Sequence, residues 1–191
     1  MRFWGNDRIN EYDLIAGCIR GEHKMQEELY KAFAPRMFTI CLRYAGSYPE
    51  AEDMMQEGFI RAFSNLTKFR NEGSFEGWMR RIMVHSSIEY YRKYHKMVQL
   101  VDIEDAAGYT SVDAQATSTL AANELMALIQ QLAPGYRIVF NLYAIEGYSH
   151  REIAEITGIS EGASKSQLSR ARSVLKEQIV KMEGKRYGYA G

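Results

Sequence analysis

Apolar side chains recur at helical spacing along most of the chain. Between residues 22 and 45, the periodicity i, i+3, i+4 places a set of apolar residues on one face of a helix. These residues are Leu29, Phe33, Met37, Ile40 and Cys41. Residues 11–20 show the same periodicity. The pattern therefore predicts two helices within the first 45 residues.

A third helix is predicted from about residue 50 to residue 66, because Pro49 follows a turn and suits the first position of a helix. Its predicted apolar stripe consists of Ala51, Met55, Phe59, Ala62 and Leu66. The segment 71–74 interrupts the pattern, and Ser74 is a predicted N-cap. A fourth helix should follow it to about Lys96.

Residues 97–118 have a different composition from the segments on either side. They are acidic, small and polar, and they lack a periodic apolar face, which predicts a linker. Four further helices are predicted beyond it, near 119–132, 134–146, 149–157 and 160–183, followed by a tail at 184–191. The sequence thus predicts an all-α fold with two small helical domains, 1–96 and 119–183, joined by a flexible acidic linker.

Two domains joined in this way are expected to move independently unless a partner holds both of them. Limited proteolysis of the free protein is therefore expected to cut first within 97–118. Preferential cleavage within 50–66 would contradict the predicted division into domains.

The formal charges balance over the whole chain, with 24 Lys and Arg residues against 24 Asp and Glu residues. They are not evenly distributed. Residues 22–57 hold 4 basic and 7 acidic residues, residues 58–96 hold 8 and 3, and residues 97–119 hold 4 acidic residues and no basic one. A neutral sum is therefore compatible with a basic surface that binds nucleic acid.

Several classes of protein are disfavoured by what the sequence lacks. Cys18 and Cys41 have no CxxC spacing, so we interpret them as buried apolar residues in a reducing compartment. The four histidines show no ligand spacing, and no phosphate-binding glycine motif is present, so neither a metal site, a cofactor nor an enzymatic activity is predicted. Nowhere do eighteen apolar residues occur together, and a cytoplasmic protein is expected.

Residues 147–160 carry the features of a helix-turn-helix. Ser149 and Glu152 form a capping-box pattern, in which each side chain satisfies a free backbone N–H at the start of a helix. Gly158 suits the left-handed turn after that helix, and the small Ala154 permits a close approach of the next one. Ser160 is the predicted cap of the second helix.

The second helix of this motif is predicted to have two contrasting faces. One arc is apolar and comprises Leu168, Ala171, Leu175, Ile179 and Met182. The opposite arc comprises Lys165, Ser166, Ser169, Arg170, Ser173 and Lys176. An ordinary solvated face usually mixes Glu with Lys, whereas residues 164–176 hold four basic residues and no acidic one. Short hydroxyl side chains and cations suit DNA, so this arc is the predicted DNA-binding face.

The N-terminal half carries two further patterns. Asp53, Gln56 and Glu57 lie opposite the apolar stripe of their predicted helix, where they form either a solvated face or a docking face for a basic protein. Aromatic and basic residues alternate between Phe69 and Lys96, a composition typical of proteins that bind single-stranded nucleic acid. Trp78 within this run is equally compatible with a place in the core.

Three segments carry a family resemblance. Residues 51–63 (AEDMMQEGFIRAF) resemble the core-polymerase-binding segment of bacterial sigma factors, and residues 75–82 (FEGWMRRI) resemble their promoter-melting segment. Residues 147–172 resemble their C-terminal helix-turn-helix. The order, the spacing and the short acidic linker are similar to the extracytoplasmic-function (ECF) group, which has only these two domains. The resemblance covers about residues 10–183.

The resemblance implies a role for each set of residues. Asp53, Gln56 and Glu57 would bind the clamp helices of the largest polymerase subunit. A loop around Val84, His85, Ser86 and Ser87 would hold a base flipped from the downstream (−10) promoter element, while Trp78, Arg80 and Arg81 would support strand opening. Lys165, Ser166, Ser169 and Arg170 would recognise the upstream (−35) element, and Lys176 would contact a phosphate of the DNA backbone.

The resemblance also implies the partners. They are core RNA polymerase, through its largest and second-largest subunits, promoter DNA and an anti-sigma factor, with no insertion into a membrane. Two departures from the family pattern stand out. His85 stands where many members have Asn, which bears on the identity of the flipped base. Residues 163–167 (ASKSQ) replace the more usual TVKSR, which places Ser164 near the buried arc and removes a phosphate contact at Gln167.

Two other classes of protein remain as alternatives. A stand-alone helix-turn-helix regulator would use the same C-terminal helices with an N-terminal ligand-binding or dimerisation module. Such a regulator would not need an aromatic–basic run beside an acidic helix face. The residue patterns described above do not support the third class, an enzyme.

Overall fold

A computed structural model of the chain describes residues 3–4, 9–98 and 120–186. These form two compact units. One unit contains the chain up to Cys41 together with Pro49–Tyr94, and the other contains Leu42–Tyr48 together with the chain from His95 onward. The predicted first domain, 1–96, therefore differs from the first unit by the short segment 42–48 and by residues 95–96.

Four helices contain most of the first unit and parts of the adjoining segment 42–48. They are α1 (Glu11–Ile19), α2 (His23–Tyr44), α3 (Tyr48–Asn65) and α4 (Phe75–Val98), with a 3₁₀ turn at Leu66–Lys68. Ser74 caps α4 as predicted, since its hydroxyl accepts a hydrogen bond from the Gly77 N–H at 3.1 Å. The predicted helices thus exist, and their limits lie within a few residues of the expected ones.

The core of this unit is aliphatic and aromatic. Of the stripe predicted for α3, Ala51, Phe59, Ala62 and Leu66 are buried, whereas Met55 is only half-buried and the neighbouring Met54 takes its place. Gly58 permits the close approach of α3 and α4, because a Cβ at this position would lie 2.2 Å from the Met83 Sδ. Any larger residue at position 58 would force the Met83 side chain to move.

The expectation of a purely helical chain needs one small correction. Phe3–Trp4 (β1) pairs antiparallel with Ile9–Asn10 (β2) ahead of α1. Two residues per strand are too few to show an alternating pattern in the sequence, so periodicity does not reveal them.

Four helices also form most of the second unit: α5 (Leu120–Gln130), α6 (Pro134–Phe140), α7 (His150–Thr157) and α8 (Glu161–Arg186). Residues 141–145 continue α6 as a π-helical turn, so the helix predicted over 134–146 changes its hydrogen-bonding register partway along. Leu128, Leu132, Ala171 and Leu175 form a buried cluster, against which Ile179 and Met182 pack. The predicted apolar arc of α8 is therefore confirmed.

The limits of two segments differ from the prediction. Helix α4 continues to Val98, two residues into the predicted linker, and α8 continues to Arg186, three residues into the predicted tail. The rest of the predicted linker, residues 99–118, and the end of the tail, residues 187–191, lie outside the described residues.

Cys18 and Cys41 are both buried, and no disulfide joins them, in agreement with their interpretation as small apolar core residues. Burial, with a smaller contribution from Glu22, raises the pKa of the Cys18 thiol to about 11. The thiol therefore stays protonated at neutral pH. In the part of the chain that the structure describes, every helix is too short or too polar to cross a bilayer.

Candidate nucleic-acid and protein interfaces

Helix α7 begins and ends as the sequence predicts. The Ser149 hydroxyl and the Ser149 backbone N–H donate to the Glu152 carboxylate at 2.7 and 2.8 Å, and the Glu152 N–H donates back to the Ser149 Oγ at 3.3 Å. These bonds hold the pKa of Glu152 below its usual value. Gly158 closes the helix with a φ of 79°. The Ser160 Oγ accepts a hydrogen bond from Ala163 and caps α8.

Helix α8 presents a basic and hydroxylated face. The five residues predicted to contact upstream DNA are all exposed on it: Lys165, Ser166, Ser169, Arg170 and Lys176. Ser164 is fully buried, as its place near the apolar arc predicts. The partly buried Gln167 lies against Gly135, where an added Cβ would be 3.2 Å from its Oε1. The structure therefore brings the whole predicted set together on one surface.

Aromatic residues outside the motif support this face. The Arg170 guanidinium donates to the Tyr136 hydroxyl at 3.2 Å. The Arg172 guanidinium lies 5.6 Å from the centroid of the Tyr143 ring, which itself stacks on His150. Sequence patterns do not reveal these contacts, because α6 and the π-helical turn lie about thirty residues before their partners in α8.

The acidic face of α3 lies along a cleft between α3 and α4. The cleft has a volume of about 520 Å³, and Asp53, Gln56 and Glu57 all line it. Arg61 lies beside them, with its Nε 2.9 Å from the Glu57 carboxylate and a further ion pair to Glu89 of α4. The structure thus places the three predicted polymerase-binding residues side by side on an accessible surface.

Ile60 lines the same cleft, with 61% of its surface exposed, and sequence reasoning missed it. Ile60 falls outside the apolar stripe of α3. An apolar residue on the polar side of an amphipathic helix is the sequence signal that could have identified it. An exposed apolar side chain between carboxylates suits a protein partner better than water alone.

The predicted base-holding loop is wrong. Residues 84–87 lie in the middle of α4, since neither Pro nor Gly interrupts the sequence between Trp78 and Val98. Val84 is 1% exposed, and Ser86 and Ser87 are fully buried. The Ser87 hydroxyl donates to the Met83 carbonyl of the preceding turn. Ser86 and Ser87 therefore cannot touch DNA, whereas His85 is exposed on the outer face of the helix.

A different cleft combines the chemistry expected for an unstacked base. It has a volume of about 240 Å³ and lies where the turn between α3 and α4 meets the start of α4. Its cationic and aromatic lining residues are Lys68, Phe69, Arg70, Trp78 and Arg81. The irregular turn lies at the predicted break at 71–74, where Asn71 and Gly73 both adopt positive φ values, of 57° and 134°.

The aromatic side chains of this cleft are anchored in the core. Phe69 and Trp78 both pack on the buried Phe75, with ring centroids 5.2 and 5.5 Å away. Trp78 is half-buried: it packs on the core through Phe75 and also lines the cleft. Arg80 points elsewhere and lines a separate cleft beside Tyr12, so the structure separates it from Arg81.

The chain matches known families over both units. Residues 29–97 match the model of sigma-70 region 2, and residues 122–175 match the model of sigma-70 region 4. The acidic face of α3 and the aromatic–basic cleft fall in the first match, and the helix-turn-helix falls in the second. The fold and the sites thus define a two-region protein of the sigma-70 class.

Individual relatives narrow the class. The ECF RNA polymerase sigma factor SigE of Mycolicibacterium smegmatis is 30% identical over 160 residues, which are 81% of this chain and 62% of that protein. The ECF sigma factor SigW of Bacillus subtilis is 29% identical over 171 residues, which are 84% of this chain and 91% of SigW. The chain belongs to the ECF family of RNA polymerase sigma factors, transcription initiation factors that direct the polymerase to promoters.

A solved structure shows the same fold. The sigma factor RpoE of Bartonella quintana, crystallised in complex with the anti-sigma factor NepR, has 24% sequence identity to this chain and a TM-score of 0.50. The match covers 80% of this chain and 95% of RpoE.

Proposed function

We propose that the chain binds core RNA polymerase through the acidic face of α3, recognises the −35 element with α8, and opens the −10 element with the aromatic–basic cleft. It performs no catalysis of its own. One observation carries the proposal: a single helical unit holds both an acidic helix face, with Asp53 and Glu57 along one cleft, and a separate aromatic–basic cleft. A stand-alone regulator has a use for α8 but for neither of these two surfaces.

The −10 role follows from the contents of the smaller cleft. Phe69 and Trp78 offer ring faces on which an unstacked base can lie, and Lys68, Arg70 and Arg81 can neutralise the phosphates of the displaced strand. His85 lies one helical turn beyond Arg81, and both side chains are exposed, so we assign His85 to the edge of the same surface. This cleft takes the place of the residues at 84–87 as the site for a flipped base.

The −35 role follows from the position of the motif within the second unit. In helix-turn-helix proteins the N-terminal part of the second helix meets base edges. Lys165, Ser166, Ser169 and Arg170 occupy that part of α8, whereas Lys176 lies nearly two turns further along. The first four side chains are therefore assigned to bases and Lys176 to phosphate.

The partners and the compartment follow from the same assignment. The acidic face of α3 is assigned to basic clamp helices of the largest polymerase subunit, and a second contact is assigned to the second-largest subunit. RpoE was crystallised with the anti-sigma factor NepR, and we propose that an anti-sigma factor also controls this chain. A subunit of the transcription machinery works in the cytoplasm. The functional domains are taken to be 1–96 and 119–183.

A gel shift separates a sigma factor from a stand-alone regulator. The probe is a duplex selected from a randomised library by the chain together with core polymerase. The chain mixed with core should shift this duplex, whereas the free chain at the same concentration should bind it poorly. Tight and selective binding by the free chain, with no gain from core, would favour the regulator.

Single substitutions in α8 should separate base recognition from phosphate binding. Arg170→Ala is expected to lose roughly 1–3 kcal/mol of binding free energy and to relax preference at one −35 position, because a bidentate guanine contact disappears. Lys176→Ala should weaken binding to all sequences about equally and lower the salt dependence. Titrations of holoenzyme against promoter variants at several salt concentrations measure both effects. Equal loss on every sequence for Arg170→Ala would contradict its assignment to a base.

A further inference from the structure

His150 and Ser164 join the two helices of the helix-turn-helix through their side chains. The His150 Nδ1 and the Ser164 Oγ are 2.9 Å apart, and either can donate according to the imidazole tautomer. Ser164 is fully buried, while His150, the first residue of α7, is half-buried. The bond therefore lies at the base of α8, immediately before Lys165.

The two partners do not depend on this bond equally. A buried hydroxyl that loses its hydrogen-bond partner carries the full desolvation penalty, because water cannot replace the lost bond. A half-buried imidazole can still reach water. Losing the bond from the histidine side should therefore strain the helix pair more than losing it from the serine side.

The histidine ring is itself held in place. It stacks on Tyr143, with the ring centroids 4.6 Å apart and an interplanar angle of 23°. Tyr143 in turn lies beneath the guanidinium of Arg172, two turns beyond Ser164 on α8. The first part of α8 is thus tied at both ends to one stack, made of Tyr143 and His150.

We propose that His150 is a positioning residue for promoter recognition, which holds the first turn of α8 in place through Ser164. The first turn of α8 thus contains a buried hydroxyl, and α7 supplies its hydrogen-bond partner. Without this partner, the buried Ser164 hydroxyl would disturb the first turn of α8 and with it the direction in which Lys165 and Ser166 face the DNA. The inference rests on the assignment of α8 to the −35 element.

The test uses the full chain assembled with core polymerase, on the duplex that the wild-type holoenzyme selects from a randomised library. The measured quantity is the ratio of affinities for this duplex and for the same duplex with its −35 half scrambled. His150→Phe keeps a ring against Tyr143 but removes the Nδ1, and it should reduce the ratio on the order of tenfold. His150→Asn places an amide close to the Nδ1 position and should restore most of the ratio.

Three further variants complete the design. Ser164→Ala alone should change the ratio less than threefold, since the half-buried imidazole can turn to water. His150→Phe combined with Ser164→Ala should recover most of the wild-type ratio, because no buried hydroxyl is then left without a partner. Glu155→Gln, at an exposed position of α7, is the matched control and should leave the ratio unchanged. Circular dichroism at the assay temperature establishes that each variant is folded.

A merely structural role would lower the unfolding temperature of the His150→Phe variant and leave the ratio at its wild-type value, which would overturn the inference. Additive losses in the double variant would overturn it as well. If His150→Phe did not fold, a wild-type ratio of affinities for His150→Ala would overturn the inference instead. Failure of the wild-type holoenzyme to select any duplex would overturn the proposed function and this inference together.

Discussion

Replacing Asp53 and Glu57 together by Lys is expected to weaken binding of the chain to core polymerase by at least about 100-fold. Both carboxylates line one cleft of α3, so the double reversal brings like charges together at the centre of the proposed contact. The change should also remove one of the two ion pairs of Arg61, whose Nε lies 2.9 Å from the Glu57 carboxylate in the free chain. Equilibrium competition against a labelled wild-type chain measures the loss.

A matched variant controls for the change in net charge. Glu22→Lys combined with Glu27→Lys alters the charge by the same amount, at exposed positions near the start of α2. This variant should bind core polymerase within about twofold of wild type, as expected for surface charges outside an interface. Equal losses in both double variants would mean that overall charge, and not the α3 cleft, determines the affinity.

Removing the charges of Arg70 and Arg81 is expected to reduce open-complex formation about 100-fold. Both side chains line the aromatic–basic cleft, where they would neutralise the displaced strand while the base lies against Phe69 and Trp78. Upstream binding should persist, because α8 lies in the other unit. Permanganate reactivity of thymines at the −10 element reports the opening directly, and a gel shift on the closed complex reports upstream binding.

Arg70 and Arg81 are preferable to Trp78 for this experiment. Trp78 packs on the buried Phe75, so its removal would also damage the core. The control is Arg20→Ala combined with Lys24→Ala, which removes two exposed positive charges from the same unit outside the cleft. Normal permanganate reactivity in the Arg70 and Arg81 variant would show that the cleft does not contribute to promoter opening.

The helices and their buried faces could be predicted because both depend on local sequence. Periodicity places Leu168, Ala171 and Leu175 on the buried arc of α8, and the structure agrees. Ser149 and Glu152 predict the start of α7, because a capping box is complete within four residues. Where neighbouring residues determine the conformation, the prediction from sequence succeeded.

The errors and omissions arise where distant residues meet. Residues 84–87 resemble a family segment, but the resemblance alone does not reveal that Ser86 and Ser87 face the core of the unit. The contact of His150 with Ser164, and that of Arg61 with Glu89, join different helices, and no spacing along the chain encodes them. The aromatic–basic cleft depends on the course of an irregular turn, which periodicity cannot describe.

The most direct test of the central claim is transcription in vitro with core polymerase, with start sites mapped across genomic DNA of the source organism. With the wild-type chain, we expect new start sites that share one −35 and one −10 sequence and are absent with core alone. The variant carrying Lys at positions 53 and 57 should lose these start sites, and the variant carrying Lys at positions 22 and 27 should keep them. Start sites that are identical with and without the chain would contradict its assignment as a promoter-directing subunit.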